Sequence, residues 1–401
     1  MKWHKFLYDA WNSFFEKKKN NDEEFMPYLI FFAETYKTRL AVIERHLQRK
    51  DYNFSKWKAT LIPKKDGGNR PLIIPNTISD KLVLKAMSDY LSDSLFYVFN
   101  SVSSVSYAYQ KGKSTRDALI RLKRMHNPEN ILLKIDIKHF FDEIDKIILI
   151  QLLDQYPIDN YVKDLIYKGI NPVIDYSNLK KSDIDKFPKG GIPQGNPISA
   201  VLSNLYLYEL DKLAISNDWK MVRYADDIVF SVSNIEEAQL ILSQVKKYLL
   251  DNRKLAIHPL KNSSDAKTAI FLNPKKNSMK YLGVIFDGQN LFPTKECCYQ
   301  LIGKIKTILK CTATSEEKEK AINKAIAQWC GYYAFTDIPN SQIKWMNNTI
   351  NYQISKYELN IHQVNIANVV LTTRKRQNSR LAKLFHPIKF GEEYRWLNIY
   401  G

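Results

Sequence analysis

The chain has 401 residues, 45% of them hydrophobic, and carries 60 Lys+Arg against 42 Asp+Glu for a net charge of +18. That length suits two or three domains, or one large domain with extensions, and the charge makes a polyanion the default partner, with a merely solvated lysine-rich surface as the plain alternative. No apolar run approaches the roughly 18 residues needed to span a bilayer, Met1-Lys2-Trp3-His4-Lys5 is not a signal-peptide start, and the cysteines at 297, 298, 311 and 330 suggest neither a zinc site nor a disulfide frame, so a reduced, cytoplasmic protein with no membrane segment is expected.

Residues 1–58 read as helical. Phe6, Leu7, Trp11, Phe14 and Phe15 recur at helical spacing, a polar break covers 16–24, and a second helix is expected over roughly 26–50. The basic end of that helix, Arg45 to Lys50, complements the helix dipole or touches phosphate. Two apolar strands then flank Lys64-Lys65-Asp66-Gly67-Gly68-Asn69-Arg70, a hairpin signature. Lys64 and Arg70 near its tip would clamp a triphosphate through its oxygens, although lysines also blunt edge strands. A helix is expected over 79–100. Tyr109-Gln110-Lys111-Gly112-Lys113 precedes another helix capped by Ser114 or Thr115, and Lys111 and Lys113 are placed to meet nucleic acid or phosphate, or to solvate a loop.

Ile131 to Ile135 is an apolar strand closed by Asp136, running through Ile137 into a turn and a helix that holds Phe140, Phe141 and Asp142. Residues 147–187 hold a helical region and a polar loop. Gly190-Gly191-Ile192-Pro193-Gln194-Gly195-Asn196 then feeds an apolar helix over 198–213. Glycine there lets backbone approach a ligand, with Gln194 as the polar contact.

Met221-Val222 and Ile228-Val229-Phe230 flank a second hairpin with Tyr224-Ala225-Asp226-Asp227 at its tip. Neighbouring carboxylates repel, and burying them unpaired is costly. A pair of divalent cations about 3.5–4 Å apart removes that cost, and nucleotidyl transfer uses such a pair to hold the attacking and leaving oxygens. An isolated Asp-Asp is more often an ordinary acidic turn. Asp136, a third carboxylate from a second apolar segment, favours the metal reading. A helix over 235–250, the stretch Leu255 to Lys261, a strand over 281–286 and helices from about 295 to the end complete the chain.

The order of these stretches closely resembles that of reverse transcriptases over roughly residues 55–335. Lys64…Arg70 looks like the fingers hairpin, Asp136…Phe141 the first palm motif, Pro193-Gln194-Gly195 with Ser199 the second, and Tyr224-Ala225-Asp226-Asp227 the third. Lys261 stands in the place of the lysine of the fourth motif, and Tyr281-Leu282-Gly283 in that of the primer grip. Six motifs in order are far more specific than any one. The resemblance implies an α+β right-hand polymerase: a helical extension over 1–58, fingers over 59–130, a palm with an antiparallel sheet over 131–290 (with fingers elements near 150–190), and a helical thumb with a basic tail over 291–401.

It also implies roles. Asp136, with Ile137 beside it, Asp226 and Asp227 would hold two Mg²⁺, with Mn²⁺ as a substitute, and Lys261 would protonate pyrophosphate. Lys64, Arg70, Phe141 and Gln194 would bind the dNTP, Phe141 clashing with a 2′-hydroxyl. Lys111, Lys113, Arg374, Lys375, Arg376 and Arg380 would hold nucleic acid. The tail from Leu301 to Tyr333 resembles the thumb of group II intron-type enzymes, while their DNA-binding and endonuclease extensions are not expected after it. The asparagine-alanine-histidine and Val-Thr-Gly signatures of retron enzymes are missing, and Gln110 stands where intron enzymes have arginine. A stand-alone enzyme resembling the abortive-infection and other phage-defence reverse transcriptases is therefore expected, making DNA from dNTPs on an RNA template, a structured noncoding RNA. The competing readings are protein-primed or untemplated DNA synthesis, an RNA polymerase, and a non-catalytic RNA-binding chaperone.

Overall fold

A computed structural model describes residues 1–18, 26–63, 68–261, 263, 266–357 and 364–384. Lys64, expected in the triphosphate clamp, lies outside them.

The chain opens with helices Trp3–Lys18, Met26–Glu34 and Tyr36–Arg49. The second helix expected from the sequence is thus two, broken at Thr35, whose backbone leaves the helical region (φ −122°, ψ 19°). Trp11 fixes the three together: its ring lies 5.0 Å from Phe32 and stacks 5.5 Å from Tyr36. This bundle belongs to the same hydrophobic core as the sheet that follows.

Strands β1 (Trp57–Pro63) and β2 (Asn69–Ile74) pair antiparallel, with Ile62 opposite Arg70. Further on, β3 (Ile131–Asp136), β4 (Ile174–Asp175), β5 (Met221–Tyr224), β6 (Asp227–Val232) and β7 (Ala269–Phe271) follow. β4 lies parallel to β1, fixed by Trp57, which is wholly buried. The central sheet has the order β5-β6-β3-β7, all antiparallel. Its sequence alternates between two cores, as a period of two requires. Ile131, Leu133, Ile135, Met221, Ile228 and Phe230 enter the main core. Leu132, Val222, Val229, Ala269 and Phe271 face a second core under the helix Thr115–Met125. β7 is missing from the sequence reading because its three residues are too short for a pattern.

The helix Pro197–Ser216 is apolar almost all round, and so it is buried almost all round. Asn196 caps it, accepting from Ile198 N–H at 3.1 Å, and Pro197 supplies the fixed φ of the first turn. The loop before it closes on the turn after β3. Ile192 N–H donates to the Phe141 carbonyl at 2.8 Å, and Gly191 adopts φ +69°. A Cβ on Gly191 would stand 2.1 Å from the Phe141 carbonyl oxygen.

The strand expected over 281–286 is instead a hairpin. β8 (Met279–Tyr281) and β9 (Val284–Phe286) pair antiparallel, and β10 (Leu291–Pro293) adds a third strand. Tyr281 faces Val284, so Leu282 and Gly283 form a two-residue turn with φ +46° and +79°. Positive φ at both positions is the hairpin turn that matches strand twist, and leucine at its first position hides it in the sequence. Helices Lys295–Lys310, Ser315–Tyr333, Asn340–Ser355 and Ile366–Leu384 build a separate helical core. Among the described residues no helix is long and apolar enough to cross a membrane.

The loop closure is testable. Gly191→Ala is expected to destabilise the protein by on the order of 2–4 kcal/mol, combining backbone collision with left-handed strain. Gly190→Ala, whose Cβ would meet the Asp142 carbonyl at 3.5 Å, is expected to cost far less. Equal midpoints for the two variants in urea unfolding would refute this account of the loop.

Candidate active site

Strand pairing puts the acids together. Asp136, at the end of β3, faces Asp227, the first residue of β6. The β5–β6 register pairs Tyr224 with Asp227 and leaves Ala225-Asp226 as a two-residue turn. Ala225 is left-handed (φ 59°) although it is not glycine. A residue with a Cβ in that region costs about 1–3 kcal/mol, a strain that persists only where the surroundings impose it.

The electrostatics follow from this packing. Burial, then the charge of Asp227, pushes Asp226 up to about 6, and Asp136 adds to the effect. Burial raises Asp227 as well, with Asp136 acting in the same sense and Lys134 and Lys267 opposing. Asp136 is 7% exposed, and Lys267 Nζ lies 2.8 Å from its Oδ2. Burial works against the Lys267 ammonium, but its bond to Asp136 and the fields of all three aspartates raise its pKa. The Asp136 backbone is fixed as well: its N–H donates to Thr268 Oγ1 at 3.3 Å, and His258 N–H donates to its carbonyl at 2.9 Å.

A second wall faces the aspartates. Tyr109 is left-handed (φ 56°) and 45% exposed. Burial raises its phenol, with Asp226 and Tyr224 adding to the rise and Arg70 opposing it. Phe141 is half-buried against the main core. Gln194 Nε2 donates to Asp142 Oδ1 at 3.1 Å, and its carbonyl accepts from Ile73 N–H at 3.3 Å, tying the glycine-proline loop to β2. Tyr281 is buried, and its hydroxyl donates to the Asp227 carbonyl at 3.4 Å.

Several expected residues stand elsewhere or are differently engaged. The ammonium on Asp136 is that of Lys267. Lys261 is exposed, its backbone N–H bonded to the Thr268 carbonyl. Lys113 points inward: Nζ donates to the carbonyls of Ser103 and Ser106 and lies 4.5 Å from the Tyr107 ring centre, and burial lowers it to about 8. It holds the loop together and is not offered to phosphate. Lys111 is exposed and pairs with Asp93 at 3.6 Å. Arg374 closes the end of the helix Ser315–Tyr333, with Nε 2.5 Å from the Ala334 carbonyl and Nη2 2.6 Å from that of Thr336. Lys375 and Arg376 are exposed on the last helix. Arg380 lies on the same helix, its side chain outside the described residues.

Sequence reasoning missed Lys267 and Tyr109 as parts of the site. A lysine next to a short, unrecognised strand and a tyrosine in a loop carry no periodic signal. Three carboxylates on adjoining strand ends offer the hard oxygen ligands that Mg²⁺ prefers. Among the described residues no three acidic, histidine or cysteine side chains already converge as a ready metal cluster. Mutual repulsion at raised pKa, with one ammonium bridging to Asp136, is the charge state a cation would relieve, so the residues present fit the group.

The raised acid has a stability consequence. A carboxyl whose folded pKa exceeds its unfolded value binds more protons in the folded state, so its contribution falls as pH rises from about 4 through about 6. In metal-free buffer, Asp226→Asn is expected to match the parent near pH 4 and to exceed its stability near pH 7.5, by on the order of 2 kcal/mol. Denaturant unfolding of both proteins at both pH values measures this. A stability difference that does not grow with pH would refute the electrostatic account.

The comparisons with known proteins bear on the same residues. The family described as Reverse transcriptase (RNA-dependent DNA polymerase) matches residues 62–286, more than half of the chain. The chain is 34% identical over 154 residues to the group II intron-encoded protein LtrA of Lactococcus lactis subsp. cremoris, covering 38% of this chain and 24% of that protein. It is 32% identical over 170 residues to an uncharacterized 91 kDa protein in the cob intron of Schizosaccharomyces pombe, covering 42% and 20%. The alignments thus span about a quarter or less of these relatives' length. Among solved structures, apo telomerase from Candida tropicalis aligns with a TM-score of 0.46 and 14% identity over 82% of this chain and 66% of that one. Telomerase from Candida albicans in complex with a fragment of telomeric RNA aligns with a TM-score of 0.42 and 10% identity, over 91% and 71%. Asp136, Asp226 and Asp227, and the strands that bring them together, all lie inside the matched segment, and the chain belongs to the reverse transcriptase family.

Proposed function

We propose that this chain is an RNA-directed DNA polymerase that extends a primer with dNTPs. The observation that carries the reading is the register that sets Asp136 opposite Asp227, with Asp226 on the adjoining turn, inside a chain of this family. Asp136 and Asp226 would hold divalent cations, Mg²⁺ by preference, with Asp227 as a supporting charge. Bound there, the cations would acidify the primer 3′-hydroxyl and neutralise charge on the triphosphate. Lys267 would give up Asp136 when a cation arrives and turn its ammonium to phosphate. Arg70 would bind triphosphate oxygens, Tyr109 would line the nucleotide between Arg70 and Asp226, and Phe141 would exclude a 2′-hydroxyl. In this reading β1 and β2 are fingers, the β5-β6-β3-β7 sheet is the palm, and the helices from Lys295 onward are the thumb.

We infer further that the enzyme works in bacterial antiviral defence on a structured noncoding RNA. The resemblance to stand-alone defence enzymes and the charge of +18 support this. A thumb grips an A-like duplex by its backbone, an electrostatic hold that weakens steeply with salt. The exposed pair Lys375 and Arg376 is suited to it, whereas Arg374 is spent on helix carbonyls.

Three outcomes are expected. Asp136→Asn and Asp226→Asn should each abolish dNTP incorporation in primer extension while leaving RNA binding in place; extension at near the parent rate would refute the site. Phe141→Ala should raise rNTP use relative to dNTP use in direct competition, and unchanged discrimination would return Phe141 to a packing role. Lys375→Gln with Arg376→Gln should weaken RNA binding and flatten its salt slope by about 2, one for each phosphate left without its cation. Wild-type affinity and slope in filter binding would place the RNA elsewhere.

A further inference from the structure

Arg223 lies on β5, two residues before the acidic turn, and is 1% exposed. The alternation that sends Met221 into the main core sends Arg223 the same way. A guanidinium in a core is costly unless every donor is paired. Here every one is. Nε donates to Asp211 Oδ1 at 2.6 Å and Nη2 to Asp211 Oδ2; Nη2 also donates to Ser106 Oγ at 2.8 Å. Nη1 donates to Asn204 Oδ1 at 3.2 Å and to the Ala225 carbonyl at 3.0 Å.

Two of these partners reach the site. Ala225 is the left-handed residue of the turn, immediately before Asp226. Asn204, oriented by Arg223, donates through Nδ2 to the Ala108 carbonyl at 2.6 Å, immediately before Tyr109. Backbone bonds complete the frame: Arg223 N–H donates to the Val105 carbonyl at 2.7 Å, and Tyr107 N–H to that of Arg223 at 3.0 Å. One planar group therefore fixes both the acidic turn and the wall facing it, and it anchors them to Asp211 on the buried helix Pro197–Ser216.

We propose that Arg223 is a positioning residue that sets the carboxylates of Asp226 and Asp227 for divalent-cation binding, acting through the Ala225 carbonyl with Asp211 as its buried counterion. The proposal rests on the reading of these aspartates as cation ligands. A pair serving stability alone needs no bond to the turn, since apolar residues often replace buried ion pairs without loss. Mg²⁺ demands near-ideal octahedral geometry at about 2.0–2.1 Å, so a small rotation of the turn is enough to spoil it. Lysine is no substitute, because a point charge cannot span Asp211 and Ala225 as the planar fork does.

Metal binding is tested on the full chain without template or nucleotide, and turnover separately with a primer–template and dNTPs. Mn²⁺ binding is followed by electron paramagnetic resonance, and folding by near-ultraviolet circular dichroism and thermal melting. Arg223→Lys is expected to fold, to bind Mn²⁺ at least tenfold more weakly, and to lower kcat at least tenfold with dNTP KM changed less than threefold. Arg223→Met with Asp211→Leu removes the buried charges and is expected to show the same loss of Mn²⁺. Ser106→Ala, the mildest change, leaves the ion pair but strands one Nη2 hydrogen, and is expected to lower the melting temperature by a few degrees while the protein stays folded, and to weaken Mn²⁺ about threefold. Wild-type Mn²⁺ affinity in folded Arg223→Lys or Ser106→Ala overturns the positioning role alone. Absence of Mn²⁺ binding by the parent protein overturns the cation reading of the aspartates, and this proposal with it.

Discussion

The repulsion among three carboxylates at one end of a four-stranded sheet is the constraint around which the rest of the protein is arranged. Pairing β3 with β6 in the register that fills both cores places Asp136 directly against Asp227. A slip of one residue would part the two acids, but it would also turn Leu133, Ile135, Ile228 and Phe230 out of the main core. Hydrophobic burial, at about 1.5–3 kcal/mol for each such side chain, holds the register against the repulsion. The residual cost appears as the raised pKa of Asp226 and Asp227 and as the recruitment of Lys267 and Lys134 to the same corner. A site assembled in this way stores an electrostatic deficit that a small, hard cation can discharge.

The walls around that corner are made by close approach of backbone. Gly191 sits against the Phe141 carbonyl where no side chain fits, which brings Gln194 to Asp142 and ties it to Ile73 on β2. The hairpin that carries Arg70 is thus joined to the turn after Asp136 through one loop. The Asn204–Ala108 bond fixes the backbone just before Tyr109, on whose phenol Arg70 and Asp226 act in opposite senses. The parts expected to contact nucleotide come from four separate segments, and buried amides and carbonyls fix their spacing.

Most of the fold was legible because its signals are periodic. The β5–β6 hairpin, the apolar β3 closed by Asp136 and the long helix after Pro197 all follow from patterns of two or from continuous burial. The misses have local causes. Leu282-Gly283 reads as strand because leucine rarely accepts positive φ, yet the thumb supports it there: Tyr332 Oη donates to the Leu282 carbonyl at 3.2 Å. Thr35 breaks a helix that its neighbours would continue. Lys267 went unread because it stands beside the three-residue strand β7, which has no visible pattern. Lys113 and Arg374 looked like surface charge because sequence cannot show which carbonyls a helix end or a tight loop leaves unpaired. Arg223 read as part of a strand, and only the fold shows its five donors filled.

The same short turn links the C-terminal helices to the backbone of Asp227. Trp329 and Cys330 anchor the helix Ser315–Tyr333 in the C-terminal helical core, and Tyr332 at its end holds the Leu282 carbonyl. Next along the chain, Tyr281 donates to the Asp227 carbonyl. Tyr333 lies against the same turn, its hydroxyl 3.2 Å from where a Gly283 side chain would begin, and the left-handed φ of +79° favours glycine there. A set of helices with its own core is thereby joined to the turn after Asp227's partner Tyr281, alongside the Lys123–Asp337 ion pair and the Asp337 bonds to Leu291. Neutral hydrogen bonds of this kind are worth about 1 kcal/mol each, too little to lock the domain. They connect the C-terminal helices to the strand end on which Asp227 stands.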